Sequence, residues 1–157
     1  MTDLNKAINM FEQLNFLHEQ GFVILETLEK PEHFGYWQVI LRSRELSLKF
    51  CDDRAEVVLL CGPISAPLGL KSGQYCDIDM AIGFLNRESS IDFNRTFPRE
   101  INAQLEKLIQ KLKVNYGKIV ELFKLDDSFP EKWKELEMYG YKIHGIEYKP
   151  RVTKKRK

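Results

Sequence analysis

The chain has 157 residues, of which 43% are hydrophobic and 30% charged, with a formal net charge of +1. These values suit one domain with a packed core and exclude a wholly disordered chain. No apolar run approaches the roughly 20 residues that cross a bilayer, which excludes a helical membrane protein.

The charge is uneven along the chain. The last nine residues, Lys149 to Lys157, hold six Lys or Arg and no acid, so residues 1–148 alone carry −5. The expected organisation is a single globular domain over 1–148 followed by a basic, flexible tail over 149–157. The start, Met1-Thr2-Asp3-Leu4-Asn5-Lys6, lacks a basic stretch followed by an apolar one, so no secretory signal is expected and the expected address is cytoplasmic.

Leu4, Ala7, Ile8, Phe11, Leu14 and Leu17 recur at helical spacing. They predict an amphipathic helix of about 17 residues, capped by Thr2 or Asp3 and ended by Gly21. Phe22-Val23-Ile24-Leu25 opens a strand that runs toward Leu28, and Pro31 and Gly35 break the chain after it. Trp37, Val39 and Leu41 then alternate with Gln38, Ile40 and Arg42. Leu46, Leu48 and Phe50 repeat the pattern, as do Val57, Leu59 and Cys61. Period two over three short runs predicts an antiparallel meander with one buried face. Ser43-Arg44-Glu45 and Asp52-Asp53-Arg54-Ala55 supply its turns.

The stretch Gly62 to Gly73, with three glycines and two prolines, reads as a long loop of the kind that carries function. Ile78, Ala81, Ile82 and Leu85 place a short helix at 77–86 with Asp77 as its cap. A second loop holds Ser89, Ser90, Asn94 and Arg95. Pro98 suits the first turn of a helix. From Ile101 to Phe123 one apolar stripe runs through Leu105, Leu108, Ile109, Leu112, Tyr116, Ile119 and Val120. Asp126-Asp127-Ser128 stops that helix and caps a last one through Pro130, Trp133, Leu136 and Met138 to Gly140. Tyr141, Ile143 and Ile146 predict a final extended segment. The order predicts an α+β fold: an antiparallel meander of about four strands, with helices, one of them long, packed on one face.

Chemistry-bearing motifs are few. His18, His33 and His144 form no metal-binding pair and have no sequence-local nucleophile, and each has an ordinary structural or surface role to fill. Cys51, Cys61 and Cys76 are odd in number and match no zinc spacing, so reduced thiols are expected. Asp52, Asp53 and Glu56 ring a hairpin turn while Asp77 and Asp79 open a helix, positions where local hydrogen bonding explains aspartate without a metal. Phosphate-binding glycine loops and a G-x-S-x-G elbow are absent from the sequence. No catalytic, cofactor-binding or metal-binding residues are therefore assigned.

The block Phe34-Gly35-x-Trp37-x-Val39-x-Leu41-x-Ser43, continued by Leu46-x-Leu48-x-Phe50 and Asp53-Arg54-x-x-Val57, resembles small stand-alone bacterial proteins that include immunity proteins of polymorphic or contact-dependent growth-inhibition toxins. The resemblance implies a non-enzymatic cytosolic protein that binds one cognate toxin domain and blocks it. It carries over no catalytic residues. Many nuclease toxins are basic, so an acidic inhibitor body gains in association rate. The expected contact surface comprises Asp52, Asp53 and Glu56, the 63–76 loop with Lys71 and Tyr75, and Asp77 with Asp79. Two alternatives stand beside it: an enzyme with a site near loop 62–77, and a nucleic-acid-associated protein acting through the tail Lys154-Lys155-Arg156-Lys157.

Overall fold

The structure, a computed structural model, describes residues 2–91 and 100–145, with Asp53 described by its backbone only. The expected Pro98 helix start, Ile146 and the basic tail lie outside these residues.

The meander forms as its alternation requires. β1 (Val23–Lys30), β2 (Tyr36–Arg42), β3 (Ser47–Asp53) and β4 (Glu56–Gly62) pair antiparallel in chain order. A two-residue β5 (Cys76–Asp77), not foreseen from the sequence, adds a fifth strand against β4. The register places Leu41 opposite Leu48, and Phe50 opposite both Val39 and Leu59. These residues share one sheet face with Trp37, Val57 and Cys61, and that face is the floor of the core. A register shift at Leu25 leaves a bulge in β1, an edge strand.

Helices cover this face alone. α1 (Asp3–Gln13) buries Leu4, Ala7 and Phe11, and Phe11 meets Phe50 at 4.7 Å between ring centroids. Its cap is Thr2, whose hydroxyl accepts from Asn5 N at 3.2 Å. The single helix expected to Gly21 is instead two. Leu14 is extended, and α2 (Asn15–Glu19) restarts beyond it. The break frees the Glu12 carbonyl, which accepts from His18 Nε2 at 2.6 Å. Gly21, at φ 77°, then turns the chain into β1.

α3 (Ile78–Leu85) is capped by Asp77, which accepts from Asp79 N. α4 (Ile101–Leu122), 22 residues or about 33 Å long, lays Ile101, Leu105, Leu108 and Leu112 on the sheet and on α1. α5 (Phe129–Ile143) runs through Gly140, so Tyr141 and Ile143 are helical rather than extended. Gly140 has helical neighbours on both sides and no left-handed φ, so it does not act as a stop.

Candidate protein-binding surface

A meander with one buried face leaves the other, which carries Gln38, Arg42, Ser47 and Lys49 beside Ile40 and Leu60, expected to face water. It does not. Gln38, Ser47 and Lys49 are all buried, beneath the chain between β4 and β5. Polar side chains that lose water need protein partners, and here the loop supplies them. Gln38 Nε2 donates to Gly69 O at 2.8 Å, while Gln38 Oε1 accepts from Tyr36 OH at 2.7 Å. Arg42 donates to Ala66 O and to Ser47 Oγ. The Ser47 hydroxyl meets Tyr75 OH at 2.9 Å, and the Lys49 ammonium lies 4.5 Å from the Tyr75 ring centroid. Glu26, from the edge strand, accepts from Gly69 N at 2.8 Å.

Two glycines let the loop lie this close. A Cβ on Gly62 would stand 2.6 Å from Gln74 O, and one on Gly73 would collide with the Pro67 ring. The consequence is a loop pinned from both sides of its length yet apolar outward. Pro63 and Ala66 are buried against the sheet, whereas Ile64, Leu68 and Leu70 are exposed. Beside them, at the turn between β1 and β2, Phe34 is 83% exposed.

The sequence-derived candidates separate into two groups. Asp52 is 5% exposed and accepts from Ala55 N at 2.8 Å, so it is a turn-building residue and not part of a solvated acidic face. Asp77 caps α3, and Asp79 pairs with Lys111 of α4 at 2.9 Å. Tyr75 fastens the loop from beneath. Glu56 and Lys71 are exposed. The hairpin acids and the α3 acids stand apart along β4. Glu56 begins β4, while Asp77 stands opposite Leu60, four residues along the strand, or roughly 13 Å away at about 3.3 Å per residue.

Leu68 and Leu70 lie in the loop expected from the sequence to make contact, whereas Phe34 and Arg54 as surface residues and Gln38, Arg42 and Glu26 as loop anchors were not foreseen. Polar residues inside a strong strand pattern were the available signal.

The thiols are shielded. Burial pushes Cys61 well up, with Cys76 and Asp77 adding to the effect, and burial followed by Asp77 pushes Cys76 up to about 12. Both therefore stay protonated at neutral pH and are poor nucleophiles. Among the described residues no group of three or more His, Cys, Asp or Glu is placed to hold a metal ion, and no helix is long and apolar enough to cross a membrane. In comparison with known proteins, no family model, curated protein or solved structure matches the chain.

Proposed function

We propose that the chain is a non-enzymatic cytoplasmic binding protein that works by occupying one partner protein, in the manner of an immunity protein neutralising a toxin domain. One observation carries this: an apolar loop surface, Ile64, Leu68 and Leu70, on a loop held in place by polar anchors from β1, β2 and β3 that are buried or half-buried. A loop fixed before binding loses little conformational freedom on association, and exposed apolar side chains on it gain from being buried by a partner. The resemblance of the β2–β4 segment adds the role of toxin neutralisation.

The docking surface in this proposal is the 63–72 loop with the adjoining β1–β2 turn. It replaces the acidic hairpin face, because Asp52, Asp77 and Asp79 are committed to local structure.

The test is to look beside this chain's gene for a large secreted protein and, where one is found, to co-purify its C-terminal domain with the chain. Wild type is expected to form a one-to-one complex and to protect cells that express the domain. Ile64→Asp with Leu68→Asp is expected to weaken the complex at least about tenfold, or about 1.4 kcal/mol, with the melting temperature kept. A double variant that binds and protects like wild type would remove the loop from the interface. A neighbouring domain that forms no complex would remove the toxin role.

A further inference from the structure

We propose that the end of the sheet where the β1–β2 and β3–β4 turns meet is an anchor site for an acidic segment of the partner. Lys30 and Arg54 would take its carboxylate, and Phe34 and Leu70 an adjoining apolar side chain. This rests on the binding-protein proposal above and gives that partner a chemistry.

The site is an open cavity of about 340 Å³ lined by Lys30, His33, Phe34, Tyr36, Arg54 and Leu70, together with Asp52. Its backbone is costly in two places. Phe34 sits at φ 56° and the next residue, Gly35, at φ 72°. Arg54 and Ala55, the central residues of the β3–β4 hairpin, sit at φ 55° and 69°. That turn geometry ordinarily takes Asn and Gly, and a bulky side chain such as phenylalanine rarely adopts a left-handed φ. Three of the four left-handed non-glycine residues among the described residues thus lie at one end of one sheet.

What the strained turns achieve is specific. They hold the Phe34 ring out in water with the Arg54 guanidinium 5.4 Å from its centroid. Surrounding structure enforces the Arg54 turn: Asp52 accepts from Ala55 N, and Gln104 of α4 donates to Ala55 O. Strain kept in place by neighbours, around an exposed aromatic and a cation, marks a site that contributes something other than stability.

Charge selects the occupant. Lys30 and Arg54 bring two basic side chains to the lining, and His33 adds an imidazole beside them. Among the described side chains, the carboxylate in the lining is that of Asp52, which is buried and engaged with the turn. Glu29 and Glu32, their chain neighbours, are not in the lining. The apolar wall selects a peptide over a bare anion. Leu70 belongs both to this cavity and to the exposed loop that carries Leu68 and Ile64, so a protein seated on the loop reaches the cavity without a gap. The polarity is opposite to an inhibitor that presents acids to a basic toxin: at this point the partner supplies the acid.

The test is an amide-shift titration of the isotope-labelled full chain with blocked Phe-Asp dipeptide, against blocked Phe-Asn and against AMP. Saturable shifts are expected at residues 30–36, 54–55 and 70, with a dissociation constant on the order of millimolar, as suits a contact of two side chains. About 0.5 M salt should weaken them.

Arg54→Gly is the decisive variant. Glycine relieves the left-handed strain, so the melting temperature is expected to rise while Phe-Asp binding falls at least about fivefold. A purely structural arginine would not separate the two readouts in that direction. Absence of shifts at this end, equal response to Phe-Asn, tighter binding of AMP, or unchanged binding by Arg54→Gly would each overturn the proposal. Because the titration uses no partner protein, its failure leaves the Ile64 and Leu68 test standing, and failure of that test leaves this one readable.

Discussion

Gln104 offers a sharp test of how α4 and the β3–β4 hairpin hold each other. It is a polar residue in the apolar stripe of α4, 1% exposed. Its Oε1 accepts from Val57 N at 2.8 Å, and its Nε2 donates to Ala55 O at 3.1 Å. Gln104→Leu keeps much of the side-chain volume but removes both partners. The two orphans differ. Ala55 is exposed, so water can reach its carbonyl, whereas Val57 is fully buried and its N–H is left bare. A buried unsatisfied donor costs about 1–3 kcal/mol and the second, rehydrated bond about 0.5–1 kcal/mol. The expected loss is therefore about 1.5–4 kcal/mol. For a chain of this size it corresponds to a melting temperature lower by roughly 3–16 °C. Urea unfolding should show the shifted midpoint with an unchanged slope. Gln104→Glu should cost more, because the carboxylate loses the bond to Ala55 O and buries a charge. A Gln104→Leu variant within about 0.5 kcal/mol of wild type would refute the reasoning, and with it the claim that α4 fixes the turn that carries Arg54.

Three further outcomes follow from the core, the thiols and the loop. Leu108→Asp places a charge where Leu108 is 2% exposed and should cost about 4 kcal/mol or more, abolishing a cooperative melt by circular dichroism. Native Cys61 and Cys76 should resist a disulfide reagent at pH 8 and react fully in urea, since burial raises both thiols in the fold. A group raised in the fold stabilises below its unfolded value and loses that contribution as pH rises. Stability should accordingly fall from about pH 9 toward the Cys76 value of about 12, by about 1.4 kcal/mol per pH unit for each thiol. Denaturant midpoints at pH 7, 9 and 10 check the slope, and a slope that persists unchanged in Cys76→Ala would assign it to other groups. Gly62→Ala should cost about 1–3 kcal/mol and speed amide exchange across 63–75, because its Cβ meets backbone at 2.6 Å.

The sheet was legible because period-two alternation reports directly which residues share a face: Trp37, Val39, Leu48, Phe50 and Leu59 all lie in the core. Alternation is silent on whether the polar face is covered. Gln38, Ser47 and Lys49 read as solvent-facing, and only the non-local return of the 63–75 loop buries them. The same limit hid β5, which has two residues and no period of its own. Leu14 belongs to the helical stripe, so spacing gave no sign of the extended residue that divides α1 from α2. Gln104 was more accessible than it looked. It lies three residues after Ile101 and one before Leu105, a core-facing position where a polar side chain signals a buried hydrogen-bonding task. Of the candidate site, the loop was visible through its glycines and prolines. Of the acids around the hairpin, Asp52 serves the backbone first, as turn aspartates do, and Glu56 is exposed.

A stoichiometric titration tests the proposed action by occupation most directly. A fixed amount of the proposed partner, a toxin domain, is mixed with increasing amounts of the full chain, and residual toxin activity is read after equilibration. Occupation predicts a linear fall that ends at one equivalent, with activity restored when the toxin is recovered from the complex. Complete inactivation by a small fraction of an equivalent, growing with time and persisting after separation, would contradict it and make the chain an enzyme.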